Sequence, residues 1–266
     1  MSREEPNAAD VEGSPEGDDG HAEPVDGLRS LHQLAAPDAR MLYLAVLEGA
    51  AVRPLEQRDR YECIAELRLH DMVPAEVLVH YDTARNLYLF AWHVYRFHVV
   101  AEHQALASLE MALRFALVRR GVIDDAGAVL GPYAKSGKPK GRGRPAGLTQ
   151  LLTMAARIGL ITNEGLTLRG QWAQQLAEDR RCIEQIEFME RNGLDRLVLP
   201  NSPAVPTADD MGFDWLQQFL QGLPRLRNEY AHGSQMLHAN VLRTFQIVCE
   251  LINQLWPAKD ESAGGS

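Results

Sequence analysis

A run of six residues near the C-terminal end, Arg227-Asn228-Glu229-Tyr230-Ala231-His232, combines side chains that could handle a phosphate. Arginine presents a planar fork of N–H donors that matches phosphate oxygens. Histidine takes or gives a proton near neutral pH. Cleavage of a phosphodiester without a metal requires a group of each kind, so this run is the first candidate for an active site. A strongly apolar helical pattern follows it, and we expect the run at the head of the last helix.

The spacing of the two groups needs an explanation. Five residues turn an ideal helix by about 140°, so Arg227 and His232 would not share a face, whereas Asn228 and His232, four apart, would. Two arrangements would still bring guanidinium and imidazole together. Gly233 could bend the chain, or two copies could pair so that Arg and His from different copies face one cleft. An ordinary surface pair or a capping arrangement is the structural alternative.

The segment Leu226–Gly233 resembles the signature of the HEPN superfamily (higher eukaryotes and prokaryotes nucleotide-binding), which is Arg, four to six residues, then His. A polar residue often follows the Arg, as Asn228 does here. The resemblance covers roughly residues 84–256. It implies an all-α, HEPN-like helical bundle, usually a homodimer, and leaves residues 28–83 as an extra N-terminal helical layer of unknown role.

The resemblance also implies a function. Many members of the superfamily are metal-independent endoribonucleases, in which an RNA 2'-hydroxyl attacks the neighbouring phosphate. His232 would be the general acid or base, Arg227 would bind the phosphate, and Asn228 would position one of them. Neither a metal nor a cofactor is implied. The partners would be RNA and, in a toxin or antiviral defence setting, an antitoxin or regulatory protein. Two alternatives remain: a non-catalytic module that binds RNA, nucleotide or protein, and a plain helical scaffold.

Glu102 is the second candidate. It shares a helix face with three apolar residues further along the chain, Leu106, Leu109 and Leu113. A carboxylate on an apolar face is costly unless it is paired. If the two best helices pack together, Glu102 would orient Arg227 or His232, as an acidic residue does in some HEPN proteins. The alternative is a carboxylate at the margin of the face, with access to water.

A basic segment lies inside the polar loop 131–147. It holds five basic residues and no acid: Lys135, Lys138, Lys140, Arg142 and Arg144. Glycines and prolines between them favour an open loop, and such segments attract phosphate backbones without reading sequence. We interpret it as an RNA-binding arm. An AT-hook-like contact to a minor groove and a solvated loop without a partner are the other interpretations.

Apolar residues at three- and four-residue steps predict helices through most of the chain. The predicted helices are a segment from Asp38 to about Glu48, one after Pro54, a short one after Pro74, 83–120 with a break near Trp92–His98, 148–160, 171–191, 213–220 closed by Gly222 and Pro224, and the stripe Val241–Leu255. The clearest helix is 99–120, which Gly121 should end. Residues 192–212 hold three prolines and read as a loop, and Arg196–Leu199 is the single candidate for a strand.

The net charge of −9 belongs almost entirely to residues 1–27. This segment holds nine acidic residues and one arginine, a charge of −8, so residues 28–266 carry only −1. We expect this acidic tail, and the small tail 257–266, to be disordered. The acidic tail is a solvated spacer or a decoy that competes with nucleic acid. Three widely spaced cysteines form no paired motif, which fits a reducing compartment and argues against structural zinc. Charged residues interrupt the apolar run 87–101, so we expect a cytoplasmic protein without a membrane span.

Overall fold

The computed structural model of the chain describes residues 26–49, 51–130, 145–198, 202–231, 238 and 240–258. The chain divides into two units, Met1–Ala35 and Ala36–Ser266. In the described part of the first unit, a 3₁₀ turn at Leu31–Gln33 buries no residue. The predicted acidic tail lies outside the described residues, except for Asp26 and Gly27. The elements that follow all belong to the second unit.

The helix predicted from Asp38 to about Glu48 is wrong beyond its first turn. The Asp38 side chain does cap a helix, since it accepts from the Arg40 N–H at 3.0 Å. That helix is a 3₁₀ helix at Ala39–Tyr43. An antiparallel hairpin follows, made of β1 (Ala45–Glu48) and β2 (Ala51–Pro54). Neither four-residue strand alternates polar and apolar residues, so the pattern that predicts a strand is absent here.

Gly49 explains why the chain reverses here. It has φ = 62°, a left-handed conformation that hairpin turns require and glycine adopts without strain. Pro54 is therefore the last residue of β2, and its predicted place in a first helical turn is wrong. The first α-helix, α1 (Gln57–Ala65), begins three residues later. On it, Asp59 pairs with Arg53 of β2 at 2.7 Å.

Two long helices form the centre of the unit. Pro74 precedes α2 (Ala75–Phe90), which is longer than the short helix predicted. The predicted break in 83–120 is confirmed, because α3 (Phe97–Arg119) starts after a six-residue interruption. The glycine predicted to end this helix, Gly121, has φ = 66° and does so. The apolar stripe that predicted α3 is buried: Leu106, Leu109, Leu113, Ala116 and Leu117.

Five further helices complete the described part of the unit. They are α4 (Leu148–Arg157), α5 (Arg169–Asn192), α6 (Ala208–Met211), α7 (Trp215–Ala231) and α8 (Leu242–Leu255). The helices that pack against α3 are α2, α4, α7 and α8. The stripe predicted for the last helix is buried as expected: Val241, Phe245, Val248, Ile252 and Leu255.

The largest difference from prediction is α7. Gly222 and Pro224 do not close a short helix, because α7 continues through both. Proline inside a helix costs roughly 3 kcal/mol. Burial offsets that cost, since three aromatic or aliphatic residues at four-residue steps are buried on one face: Trp215, Phe219 and Leu223. The buried apolar face therefore stabilises a helix that continues through two residues that usually end one, Gly222 and Pro224.

The all-α prediction is confirmed at the level of class, because the described part holds eight α-helices and one two-stranded hairpin. The strand proposed at Arg196–Leu199 is absent from 196–198, the part of it that the structure describes. The predicted domain boundary at 83/84 falls inside α2, and residues 36–83 belong to the same compact unit as the rest. No helix in the described ranges is long and apolar enough to cross a membrane.

Candidate functional site

The run of six residues ends α7 and does not begin the last helix. Residues 227–231 form the final helical residues of α7, and α8 starts only at Leu242. Arg227 continues the four-residue steps of the buried face of α7, which directs its side chain towards α3. The next residue, Asn228, is exposed. His232 lies outside the described residues, so its relation to Arg227 stays a prediction.

The Arg227 guanidinium is held by a carboxylate of α3. Its Nη2 lies 3.3 Å from Oε2 of Glu110. The other oxygen of Glu110 accepts from Nη2 of Arg114 at 2.8 Å. The three side chains are 35% (Arg227), 30% (Arg114) and 15% (Glu110) exposed. One carboxylate thus bridges two guanidiniums beside solvent and leaves an excess of positive charge.

A buried polar network lies beneath the end of α7, around Glu102 of α3, which is 1% exposed. The Tyr230 hydroxyl donates to Oε2 of Glu102 at 2.5 Å, and the Thr244 hydroxyl donates to Oε1 at 2.5 Å. Nε2 of His238 lies 2.9 Å from the Tyr230 hydroxyl and 3.4 Å from Glu102. Because the Tyr230 hydroxyl donates its hydrogen to the carboxylate, the hydroxyl oxygen can accept a hydrogen bond from His238 in the tautomer that carries a hydrogen on Nε2.

The electrostatics of this network follow from its burial. Burial raises the pKa of Glu102, while the hydroxyls of Thr244 and Tyr230 act against that rise by hydrogen bonding to the charged form. Burial also raises the pKa of Tyr230, and the adjacent Glu102 raises it further. Tyr230 therefore stays a neutral donor. Three helices, α3, α7 and α8, are tied together at one carboxylate, and His238, which precedes α8, joins the same network.

The position of Glu102 decides between the two interpretations of its sequence. It does not lie at a wet margin, because it is buried and hydrogen-bonded. The partner expected from sequence was Arg227 or His232. In the structure Arg227 pairs with Glu110, while Glu102 fixes Tyr230 inside the same run of six residues. Glu102 supports the backbone of the run through that neighbour.

The five basic residues of the loop all lie outside the described residues. The described residues on either side of that segment are held by backbone hydrogen bonds. Leu130 N–H donates to the Val122 carbonyl at 2.8 Å, and Ala146 N–H donates to the Gly127 carbonyl at 3.0 Å. Arg114 Nη2 donates to the Ala146 carbonyl at 2.6 Å. Ala146, which follows the segment, therefore lies beside the guanidinium that shares Glu110 with Arg227.

Sequence reasoning missed most of the partners in this site, among them His103, Glu110, Tyr230 and His238. His103 and Glu110 are seven apart, a separation that places two side chains on one edge of a helix. That spacing was a usable signal. The roles of Tyr230 and His238 had no local signal, because their partner is more than a hundred residues away in the chain.

Other polar features lie apart from Arg227. His98 is fully buried, its Nδ1 lies 2.9 Å from the Tyr95 carbonyl, and burial lowers its pKa to about 4. No group of three or more His, Cys, Asp or Glu side chains suited to a metal occurs among the described residues. A cavity of about 520 Å³ lies at the far end of α3, beside Arg119 and Trp256. None of these features involves the run of six residues.

The chain matches no protein-family model, no curated protein and no solved structure. Its function must therefore be argued from its own geometry.

Proposed function

We propose that the chain is a metal-independent endoribonuclease of HEPN type, built on a HEPN-like bundle, with Arg227 as the phosphate-binding group. The observation that carries the proposal is the partial exposure of Arg227 at the end of α7, where a single carboxylate contact at 3.3 Å holds it in place. Asn228 is exposed on the same helical turn. A guanidinium that is positioned and still reachable is what a phosphate-binding site requires.

The pairing with Glu110 is compatible with phosphate binding. Partly exposed ion pairs contribute about 0–1 kcal/mol, so an RNA phosphodiester, which like the carboxylate carries one negative charge over two free oxygens, can compete for the guanidinium. Glu110 also keeps its second partner, Arg114, when Arg227 turns away. The site would then present the released Arg227 guanidinium to the phosphate, while Glu110 remains neutralised by Arg114.

The buried network around Glu102 supports the same interpretation. A carboxylate that is 1% exposed lowers stability unless all its partners are in place. Its partner Tyr230 lies three residues after Arg227 and two before His232. A functional group is effective when the residues around it are rigidly held. The network fixes the end of α7, which carries Arg227 and directly precedes His232 in the sequence.

In the proposed reaction, the 2'-hydroxyl of a ribose attacks the adjacent phosphorus, and the bond from phosphorus to the 5'-oxygen breaks. Arg227 stabilises the charge that builds on the non-bridging oxygens. His232 exchanges a proton with an attacking or leaving oxygen, a contribution of about 10²–10⁴-fold. The products are a 2',3'-cyclic phosphate and a 5'-hydroxyl. We propose a homodimer as the active form, with a regulatory or antitoxin partner that restrains it in a cytoplasmic defence setting.

The test uses the full chain, a mixed-sequence RNA and excess EDTA. We expect cleavage that leaves cyclic phosphate ends and falls about 10²-fold or more in Arg227→Gln and in His232→Ala. Arg225→Gln is the matched control, because Arg225 is an exposed arginine two residues earlier on α7. Intact RNA with the wild-type protein, or equal losses in Arg225→Gln and Arg227→Gln, would refute the proposal.

A second candidate is an RNA-binding module without turnover. The hydrogen bond from Arg114 to Ala146, just after the basic segment, favours it, since a charged segment that joins the fold beside the site binds RNA whether or not cleavage follows. If all five basic side chains of the segment contact phosphates of single-stranded RNA, the logarithm of the affinity should fall with the logarithm of the salt concentration with a slope of about 3–4. Binding with that slope, without cleavage and unchanged in His232→Ala, would select this candidate over the enzyme.

A further inference from the structure

His103 lies on the edge of α3 that faces Arg227. On an ideal helix, residues 103, 107, 110 and 114 fall within about 60° of one another, so His103, Ala107, Glu110 and Arg114 form one strip. His103 and Glu110 are about 10 Å apart along the helix axis. Ala107, with only a methyl group as its side chain, lies between them on this strip. Arg227 of α7 contacts the Glu110 end of this strip at 3.3 Å.

The imidazole of His103 is half-buried, and among the described residues it has no hydrogen-bond partner. The charges that act on it are Arg227 from α7 and Glu110 from its own helix. The other helices packed against α3 place no further charged group of the described chain against it. On the α2 side, the neighbouring imidazole is His80, which contacts Gln104 instead. His103 is thus a free imidazole beside a guanidinium.

The charge environment determines its protonation. Burial lowers the pKa of His103, the positive charge of Arg227 lowers it further, and Glu110 raises it in part. The imidazole is therefore neutral at neutral pH. A neutral imidazole can accept a proton, which is the task of a general base.

We propose that His103 is a second catalytic histidine of the Arg227 site and acts as the base that takes the proton of the ribose 2'-hydroxyl. This inference rests on the proposed ribonuclease function. In this step the 2'-oxygen gives its proton to His103 and forms a bond to phosphorus, while the bond between phosphorus and the 5'-oxygen breaks. His232 gives a proton to that leaving oxygen. The reaction needs one acceptor and one donor, and a single imidazole supplies only one of these in each cleavage event.

The test compares wild type, His103→Gln and His80→Gln by the pH dependence of kcat/KM for RNA cleavage. His80→Gln is the matched control, since it removes a partly buried imidazole on the adjacent helix. We expect His103→Gln to lower kcat/KM by about 10²-fold or more and to abolish the acidic limb of the profile. Binding of an oligonucleotide without 2'-hydroxyls should stay unchanged, because the phosphate-binding arginine is intact.

A second measurement does not depend on activity. NMR titration of His103 should give a pKa below the ordinary value of 6.5 in the wild type and a higher one in Arg227→Gln. An unshifted His103, or a His103→Gln enzyme with the wild-type pH profile, would overturn the assignment and leave the proposed function standing. A wild-type protein that cleaves no RNA would overturn both.

Discussion

Replacing Tyr230 with phenylalanine removes one hydroxyl, the group that donates to the buried Glu102 carboxylate at 2.5 Å. Hydrogen bonds to charged groups contribute about 1.5–3 kcal/mol, and the loss leaves an oxygen of a 1%-exposed carboxylate without that donor. For a domain of this size, a loss of 1 kcal/mol lowers Tm by about 2–4 °C. We therefore expect Tyr230→Phe to melt roughly 3–12 °C below the wild type.

The same substitution should depend on pH. The folded-state pKa of Glu102 is raised, so the folded protein binds this proton more tightly than the unfolded chain does. Such a group stabilises the fold in acid, and that contribution is lost as the pH rises through the folded pKa. Without the tyrosine hydroxyl the pKa rises further. The destabilisation by Tyr230→Phe should therefore be largest at neutral pH and shrink in acid, where Glu102 is protonated in both proteins.

The assay is denaturant unfolding at several pH values, with Tyr61→Phe as the control. Tyr61 is 58% exposed, so loss of its hydroxyl should change the free energy of unfolding by no more than about 0.5 kcal/mol. In the background of Glu102→Gln, the effect of Tyr230→Phe should shrink, because the charged acceptor is gone. Equal effects of Tyr230→Phe and Tyr61→Phe at neutral pH would show that the network does not stabilise the end of α7.

Three further predictions concern the rest of the unit. Leu109→Ala should lower the free energy of unfolding by about 2–5 kcal/mol in urea titrations, since this side chain is fully buried; a loss below 1 kcal/mol would contradict the central place of α3. A maleimide reagent should label Cys63 and Cys182 quickly and Cys249 slowly, because Cys249 is buried and burial raises its pKa to about 11; three equal rates would contradict this. Burial lowers the pKa of His98 to about 4. Between pH 6.5 and that value, the unfolded chain binds a proton at this histidine and the folded protein does not. The free energy of unfolding should therefore fall by up to about 1.4 kcal/mol for each pH unit of acidification. Unfolding of His98→Gln should lack that slope, and an identical slope in both proteins would refute the burial of a neutral imidazole.

Local periodicity was sufficient for the helices whose apolar stripes lie in one continuous stretch. The stripe Leu106–Leu117 predicted α3, the stripe Val241–Leu255 predicted α8, and Gly121 ended α3 as its backbone freedom suggests. The same reasoning failed at β1 and β2, where neither four-residue strand alternates polar and apolar residues. It also failed at Gly222 and Pro224, where burial of one helix face outweighs the local cost of both residues.

The candidate site divides in the same way. The sequence by itself drew attention to Arg227, to Asn228 and to the costly position of Glu102, because residue type and spacing are local properties. Only the tertiary structure could assign their partners. The hydroxyls that satisfy Glu102 come from residues 128 and 142 positions away, and the carboxylate that holds Arg227 lies on a different helix. Packing of α3 against α7 and α8 selects those partners, and no short stretch of the chain contains that information.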